Sequence, residues 1–147
     1  MNTERKIQLQ ESFKRSEIMK LFRGEANIIS EGNFEITVSK QPFMMRPAGI
    51  FNGSTIASLV DVSSGYAAVS ATGSDSYFTT VELKINYLSP AMGEKLTAKA
   101  KVIKNGKRLS VVRSDIFAVQ GNVEVLTATS LITLMKLDKK NNEIQID

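Results

Sequence analysis

The stretch PAGIFNGSTIASLVDVSSGYAAVSATGS, residues 47–74, carries a single charged side chain, Asp61. Residues 54–71 within it read as a helix, opened by Gly53-Ser54 and closed before Gly73. Burying an unpaired charge costs several kcal/mol, so such a carboxylate is usually paired, placed at a helix end, or functional. On a helix the neighbours of Asp61 at three, four and seven residues are Ser54, Ala57, Ser58, Ser64, Gly65 and Ala68, and every one is small. The opposite side carries Ile56, Leu59, Ser63 and Tyr66, which suit packing into a sheet. A stripe of small residues lets another backbone or a thin ligand come close, and Asp61 sits at its centre. A carboxylate satisfied by helix–helix hydrogen bonds is the structural alternative; the isolation of the charge favours function.

Outward from this helix, the flanking chain alternates. Residues 2–22 read as one helix, with Ile18, Leu21 and Phe22 spaced to dock on the core. An extended piece at 26–30, a turn at Glu31-Gly32-Asn33 and the alternation Phe34, Ile36, Val38 follow. Pro42 and Pro47 bracket a loop. After the helix come four predicted strands, read as an antiparallel four-strand meander. The first, 77–88, sets Val81, Leu83 and Ile85 on one face against Thr80, Glu82, Lys84 and Asn86. The second, 95–104, alternates Leu96, Ala98, Ala100 and Val102 with polar residues, and Asn105-Gly106 signals a type I′ hairpin. The third and fourth cover about 108–119 and 123–137, and residues 138–147 form a polar tail. A sheet wrapped around one long, nearly uncharged helix satisfies this order: an α+β layer with an N-terminal helix. The expected organisation is a helical arm over 1–25, one main domain over 26–137 and the tail.

Composition narrows the chemistry. The chain has 147 residues, room for one core, with 42% hydrophobic and 23% charged residues. With no cysteine and no histidine, Ser-His-Asp and Cys-His catalysis and histidine-based zinc sites are excluded. Acid–base work then falls to carboxylate, Lys, Tyr or bound water. The net charge of +4 is spread over strands and tail, which reads as a solvated surface and not as a nucleic-acid face. No signal-peptide pattern and no bilayer-length apolar run is present, so the expectation is a cytoplasmic protein without a membrane partner.

The segment GIFNGSTIASLVDVSSG resembles the helix motif G-x-x-H-G-G followed by L-x-D in hotdog-fold thioesterases of the phenylacetate-pathway (PaaI-like) group. TVELKINYLSPAMGEKLTAKAKVIKNGKRLSVVRSDIFA resembles that group's Thr-led strand, its Tyr-x-x-Pro turn and the two strands after it. The resemblance covers about residues 26–137. It implies a hotdog fold, a homodimer or dimer of dimers, and hydrolysis of acyl-CoA thioesters without metal. No cofactor is implied, CoA being part of the substrate.

By this resemblance Asp61 occupies the catalytic carboxylate position. Gly53 occupies that of the glycine whose N–H, at the helix N-terminus, polarises the thioester carbonyl, where free N–H groups and the macrodipole favour an oxyanion. Thr80 matches a Ser/Thr that holds the water or the carboxylate. Asn52 stands where the motif has histidine and Ser54 where it has its second glycine. An Asn side chain donates a hydrogen bond but shuttles no proton; it is also among the best N-caps, so Asn52 either faces the carbonyl or caps the helix. Arg46 stands where many relatives have Asn, and would pair with Asp61, read a substrate carboxylate, or lie on the surface. Phe43, Met44 and Met45 are candidates for an acyl pocket or for a cover over the core. Lys107 and Arg108, with Lys104, flank a hairpin that would meet CoA phosphates or merely face water.

Geometry makes an oligomer necessary for such a site. Gly53 and Asp61 are eight residues apart, about 12 Å along a helix axis, so one helix cannot bring both to one carbonyl. Two antiparallel helices about a two-fold axis solve this, each giving its N-terminus to one site and its Asp to the other. Asp61 would then act as general base or as nucleophile. The alternative reading is a catalytically weak acyl-CoA or fatty-acyl binding protein. A dehydratase of this fold is disfavoured without histidine, and a transcription regulator for want of a helix-turn-helix segment.

Overall fold

The computed structural model describes residues 1–73 and 76–137, so the expected polar tail lies outside the described residues. The elements in chain order are helices α1 (Thr3–Arg15) and α2 (Glu17–Phe22), strands β1 (Glu25–Ser30) and β2 (Asn33–Ser39), a short 3-10 turn (Pro42–Met44), and helix α3 (Gly53–Ser70). Strands β3 (Tyr77–Tyr87), β4 (Lys95–Asn105), β5 (Leu109–Gln120) and β6 (Val123–Leu137) complete the described chain. All six strands form one antiparallel sheet in the order β1-β2-β4-β5-β6-β3. The four strands after α3 are therefore not the simple meander expected: only β4-β5-β6 run consecutively, while β3 crosses over to pair with β6 at the edge and β4 pairs with β2. Helix α3 packs against β2, β3, β4, β5 and β6, so the sheet curls around it. This is the hotdog arrangement that the resemblance implied.

The alternation in the sequence sorts the strands' faces. Phe34, Ile36 and Val38 of β2, Leu96 and Ala98 of β4, Val112 and Ile116 of β5, and Ile132 and Leu134 of β6 are buried against α3. Ile56, Leu59, Val60 and Ala67 of α3 meet them. Truncating a fully buried residue such as Leu59 to Ala costs about 2–5 kcal/mol. Beneath the helix, Ser63 Oγ and Ser114 Oγ lie 2.8 Å apart, which satisfies two hydroxyls in an otherwise apolar layer.

Three local readings need correction. The N-terminal helix is broken at Ser16, whose backbone is extended (φ −64°, ψ 114°) and whose hydroxyl accepts the Met19 N–H to start α2. The break shifts the helical phase, so Leu9, Phe13, Met19 and Phe22 are buried while Ile18 and Leu21 face outward. These four belong to the same hydrophobic cluster as the sheet and α3. Second, β3 carries a bulge between Thr80 and Glu82: Thr80 pairs with Leu134 and Glu82 with Thr133, leaving Val81 as the extra residue. A bulge inverts the alternation beyond it. Phe78 and Thr80 before it and Leu83 and Ile85 after it all face α3, while Val81 is exposed. Third, Asn105-Gly106 forms no type I′ turn, since neither residue has the positive φ that turn requires. Asn105 instead pairs with Ser110 and donates from Nδ2 to the Ala71 carbonyl (3.1 Å) at the C-terminal end of α3.

Candidate active site

The N-terminal end of α3 is set by Asn52, which is extended (φ −71°, ψ 153°) as an N-cap should be. Its Oδ1 accepts the Thr55 N–H (2.9 Å) and the hydroxyls of Ser54 (2.9 Å) and Thr55 (2.6 Å). Its Nδ2 donates to the Phe43 carbonyl (2.9 Å), and its backbone N–H donates to Met44 (2.7 Å). The side chain is thus engaged in capping the helix and tying down the preceding loop. Gly53 follows, exposed. The N–H groups of Gly53 and Ser54 donate to no protein acceptor among the described residues, the usual condition of a helix's first turn. Tyr87, at the end of β3, donates its hydroxyl to the Gly53 carbonyl (3.0 Å). Arg46 and Gly53 line a cavity of about 480 Å³ together with Ile56, Tyr87 and Ser89.

Two turns further along α3, the Asp61 carboxylate is exposed. Oδ1 accepts the Thr80 hydroxyl at 2.6 Å, a short bond of the kind an ionised acceptor makes. The bulge at Val81 makes this contact possible, because it lets Thr80 share the inner face with Leu83 and Ile85. Among the described residues no cation pairs with Asp61, and Arg46 lines the other cavity. Asp61 opens onto a groove of about 720 Å³ that lies between α1 and β3, over the C-terminal half of α3. Gly53 and Asp61 therefore line different cavities of the chain, as their helical spacing of about 12 Å requires.

The remaining candidates are dispersed. Met44 is fully buried in the core, Met45 packs partly against it, and Phe43 is exposed with its ring centroid 5.5 Å from that of Phe22. None of the three borders the groove of Asp61. Ser54 is exposed beside Gly53. Lys107 and Arg108 lie in the β4–β5 connection, which Asn105 fastens to the C-terminal end of α3, the far end from Gly53. Sequence reasoning missed the groove wall supplied by α1, including Leu9 and Ser12, and the contribution of Phe78. The one available signal was Gly65, a mid-helix glycine one turn beyond Asp61. Among the described residues no group of three or more carboxylates converges on a potential metal position, and no helix is long and apolar enough to cross a bilayer.

Comparison with known proteins agrees with this fold. Residues 48–125, which hold α3, β3, β4, β5 and the start of β6, match the model of the thioesterase superfamily. The chain is 32% identical to SSO1253 of Saccharolobus solfataricus, which carries a provisional esterase name, across 95% of this chain and 90% of that protein. It is 28% identical to the medium/long-chain acyl-CoA thioesterase YigI of Escherichia coli over 56% of this chain and 63% of that protein. Among solved structures, a thioesterase family protein from Silicibacter pomeroyi superposes with a TM-score of 0.86 at 28% identity, covering 91% of this chain and 98% of that one. The PaaI protein of the E. coli phenylacetic acid degradation operon shares the fold, with a TM-score of 0.79 at 19% identity over 90% of this chain and 93% of that one. An antiparallel sheet curled around one helix, with a family match spanning that helix and relatives named for ester and thioester hydrolysis, places the chain in the thioesterase superfamily of hotdog-fold proteins.

Proposed function

We propose that the protein hydrolyses acyl-CoA thioesters at a site shared by two copies of the chain. The observation that carries this reading is Asp61, an exposed carboxylate on an otherwise uncharged helix, held from one side by Thr80. With Oδ1 engaged, Oδ2 has no protein partner among the described residues and can take a proton from water. The unpaired N–H groups of Gly53 and Ser54 from the partner copy receive the thioester oxygen as it gains charge. Water adds to the carbonyl carbon while its proton passes to Asp61. The tetrahedral intermediate then collapses with cleavage of the carbon–sulfur bond, releasing the CoA thiolate and the free acid. In this reading Asn52 positions the helix start and does not touch the carbonyl, because its side chain is already engaged in capping.

The pairing of two helices is supported by the part of the small-residue stripe that the chain leaves uncovered, Ser54, Ala57, Ser58 and Gly65; Ser64 and Ala68, its other members, are buried within the chain. In an antiparallel pair the C-terminal end of one helix lies beyond the N-terminal end of the other. Lys107 and Arg108 near that end are then placed to meet CoA phosphates, and Arg46, in the cavity at the helix N-terminus, lies on the path of the pantetheine arm. YigI, named for acyl-CoA substrates, supports the carrier assignment.

The test is thiol release from a panel of acyl-CoA thioesters by the wild-type protein and by Asp61→Asn. Loss of about 10²-fold or more with an unchanged circular dichroism spectrum is expected for removal of a general base. An equally active Asp61→Asn protein overturns the assignment. Single turnover in ¹⁸O-water identifies a nucleophilic Asp61 where water opens the mixed anhydride at the Asp61 carbonyl, since the label then enters Asp61 and not the product acid.

A further inference from the structure

We propose that Tyr87 is a positioning residue of the site, aiming and strengthening the Ser54 N–H as a donor to the thioester oxygen; this rests on the hydrolase reading above. The Tyr87 hydroxyl donates to the Gly53 carbonyl oxygen at 3.0 Å. That carbonyl and the Ser54 N–H belong to one peptide group, which is planar and trans. A bond that fixes the direction of the oxygen therefore fixes the opposite direction of the N–H. A carbonyl oxygen has two lone pairs, so the tyrosine bonds beside the helical partner and displaces nothing from α3. Hydrogen bonds in series polarise one another, and a bond received at the oxygen makes the N–H of the same amide a stronger donor.

The surroundings fit this role. The Ser54 N–H has no protein acceptor among the described residues, whereas the Thr55 N–H is taken by Asn52 Oδ1 (2.9 Å). The Ser54 hydroxyl is turned back to the same Oδ1 (2.9 Å) and does not compete. Tyr87 and Gly53 line one cavity with Arg46, at the helix start. A Cβ built at Gly53 would lie 3.4–3.5 Å from Tyr87 Oη, Cε1 and Cζ, so the ring rests against a residue whose backbone is otherwise permissive. Tyr87 is itself held, pairing with Ala128 of β6, and the chain just after it is fastened to the approach to α3 where the Phe51 N–H donates to the Ala91 carbonyl (2.9 Å). Yet the tyrosine is 54% exposed. An exposed hydroxyl exchanges water for a carbonyl at little net gain, so the value of the bond lies in the direction it imposes.

The experiment compares wild type with Tyr87→Phe, which keeps the ring and removes only the hydroxyl. On octanoyl-CoA, kcat should fall by about 10-fold with KM within about twofold, the pattern of an interaction that strengthens in the transition state. The melting temperature should stay within about 2 °C of wild type, as expected for a bond of small net stability. An unchanged kcat, with or without a lowered melting temperature, overturns the assignment and leaves the hydrolase reading intact. Two unreactive analogues separate the two readings: S-octyl-CoA, a thioether without a carbonyl, and an S-(β-oxoalkyl)-CoA ketone of the same length. By titration calorimetry, Tyr87→Phe should bind the ketone about threefold to tenfold more weakly than wild type does, and the thioether equally well. Equal weakening of both, or of neither, overturns the assignment. If wild type hydrolyses no acyl-CoA while Tyr87→Phe weakens the ketone alone, the positioning role stands and the hydrolase reading fails. If wild type hydrolyses nothing and binds neither analogue, both fail.

Discussion

Replacing Asn52 by Ala separates capping from catalysis. The Asn52 carboxamide accepts three hydrogen bonds at the start of α3 and donates one to the loop at Phe43. Loss of an N-cap side chain costs about 0.5–2 kcal/mol. Thr55, whose hydroxyl made the shortest of these bonds, is buried (3% exposed), and a buried hydroxyl left without a partner costs about 1–3 kcal/mol more. Rotation of Thr55 toward a carbonyl of the preceding turn recovers part of this, so a loss of about 2 kcal/mol is expected. For a chain of this size that lowers the melting temperature by roughly 4–10 °C. The side chain is turned toward its own helix and loop, so thiol release per folded molecule should stay within about threefold of wild type. Asn52→Ser, which keeps an accepting oxygen, should recover much of the stability. The measurement is melting temperature and acyl-CoA turnover on the same preparations. Turnover lowered by 10-fold or more with an unchanged melting temperature would refute the capping argument and place the amide on the substrate.

Thr80→Val removes the hydroxyl held 2.6 Å from Asp61 while keeping shape, so kcat should fall by about 10-fold with KM little changed; an unchanged kcat means Asp61 needs no such orientation. Arg5→Met should destabilise the protein by about 1 kcal/mol, seen as a lower urea midpoint, because a cation leaves the C-terminal carbonyls of α3. Light scattering at micromolar concentration should show a dimer or a larger assembly, and a stable monomer with full activity would refute the shared site.

The periodicity of residues 34–38, 95–104 and 108–137 was sufficient to locate these strands and their buried faces, because each buries one face against α3 and alternation records that burial directly; it did not give the strand order, since β3 pairs with β6 and not with β4. The helix and its lone carboxylate were equally legible: a charge among small apolar residues stands out without any knowledge of packing. What tertiary structure decided was phase. The break at Ser16 chooses which side of the N-terminal helices is buried, and the bulge at Val81 chooses that Thr80 faces Asp61. Neither has a compositional mark, since a bulge residue looks like any strand valine and Ser16 like any helix-surface serine. Asn52 was legible as a helix start, but which of its two roles the side chain serves depended on where Phe43 and Thr55 lie. The groove depended on still more distant partners: Leu9, Gly65, Phe78 and Leu134 meet only when α1, α3, β3 and β6 are assembled. Local spacing encodes which face of an element is buried, whereas a cavity is the space left between elements, and that is defined only once they have packed.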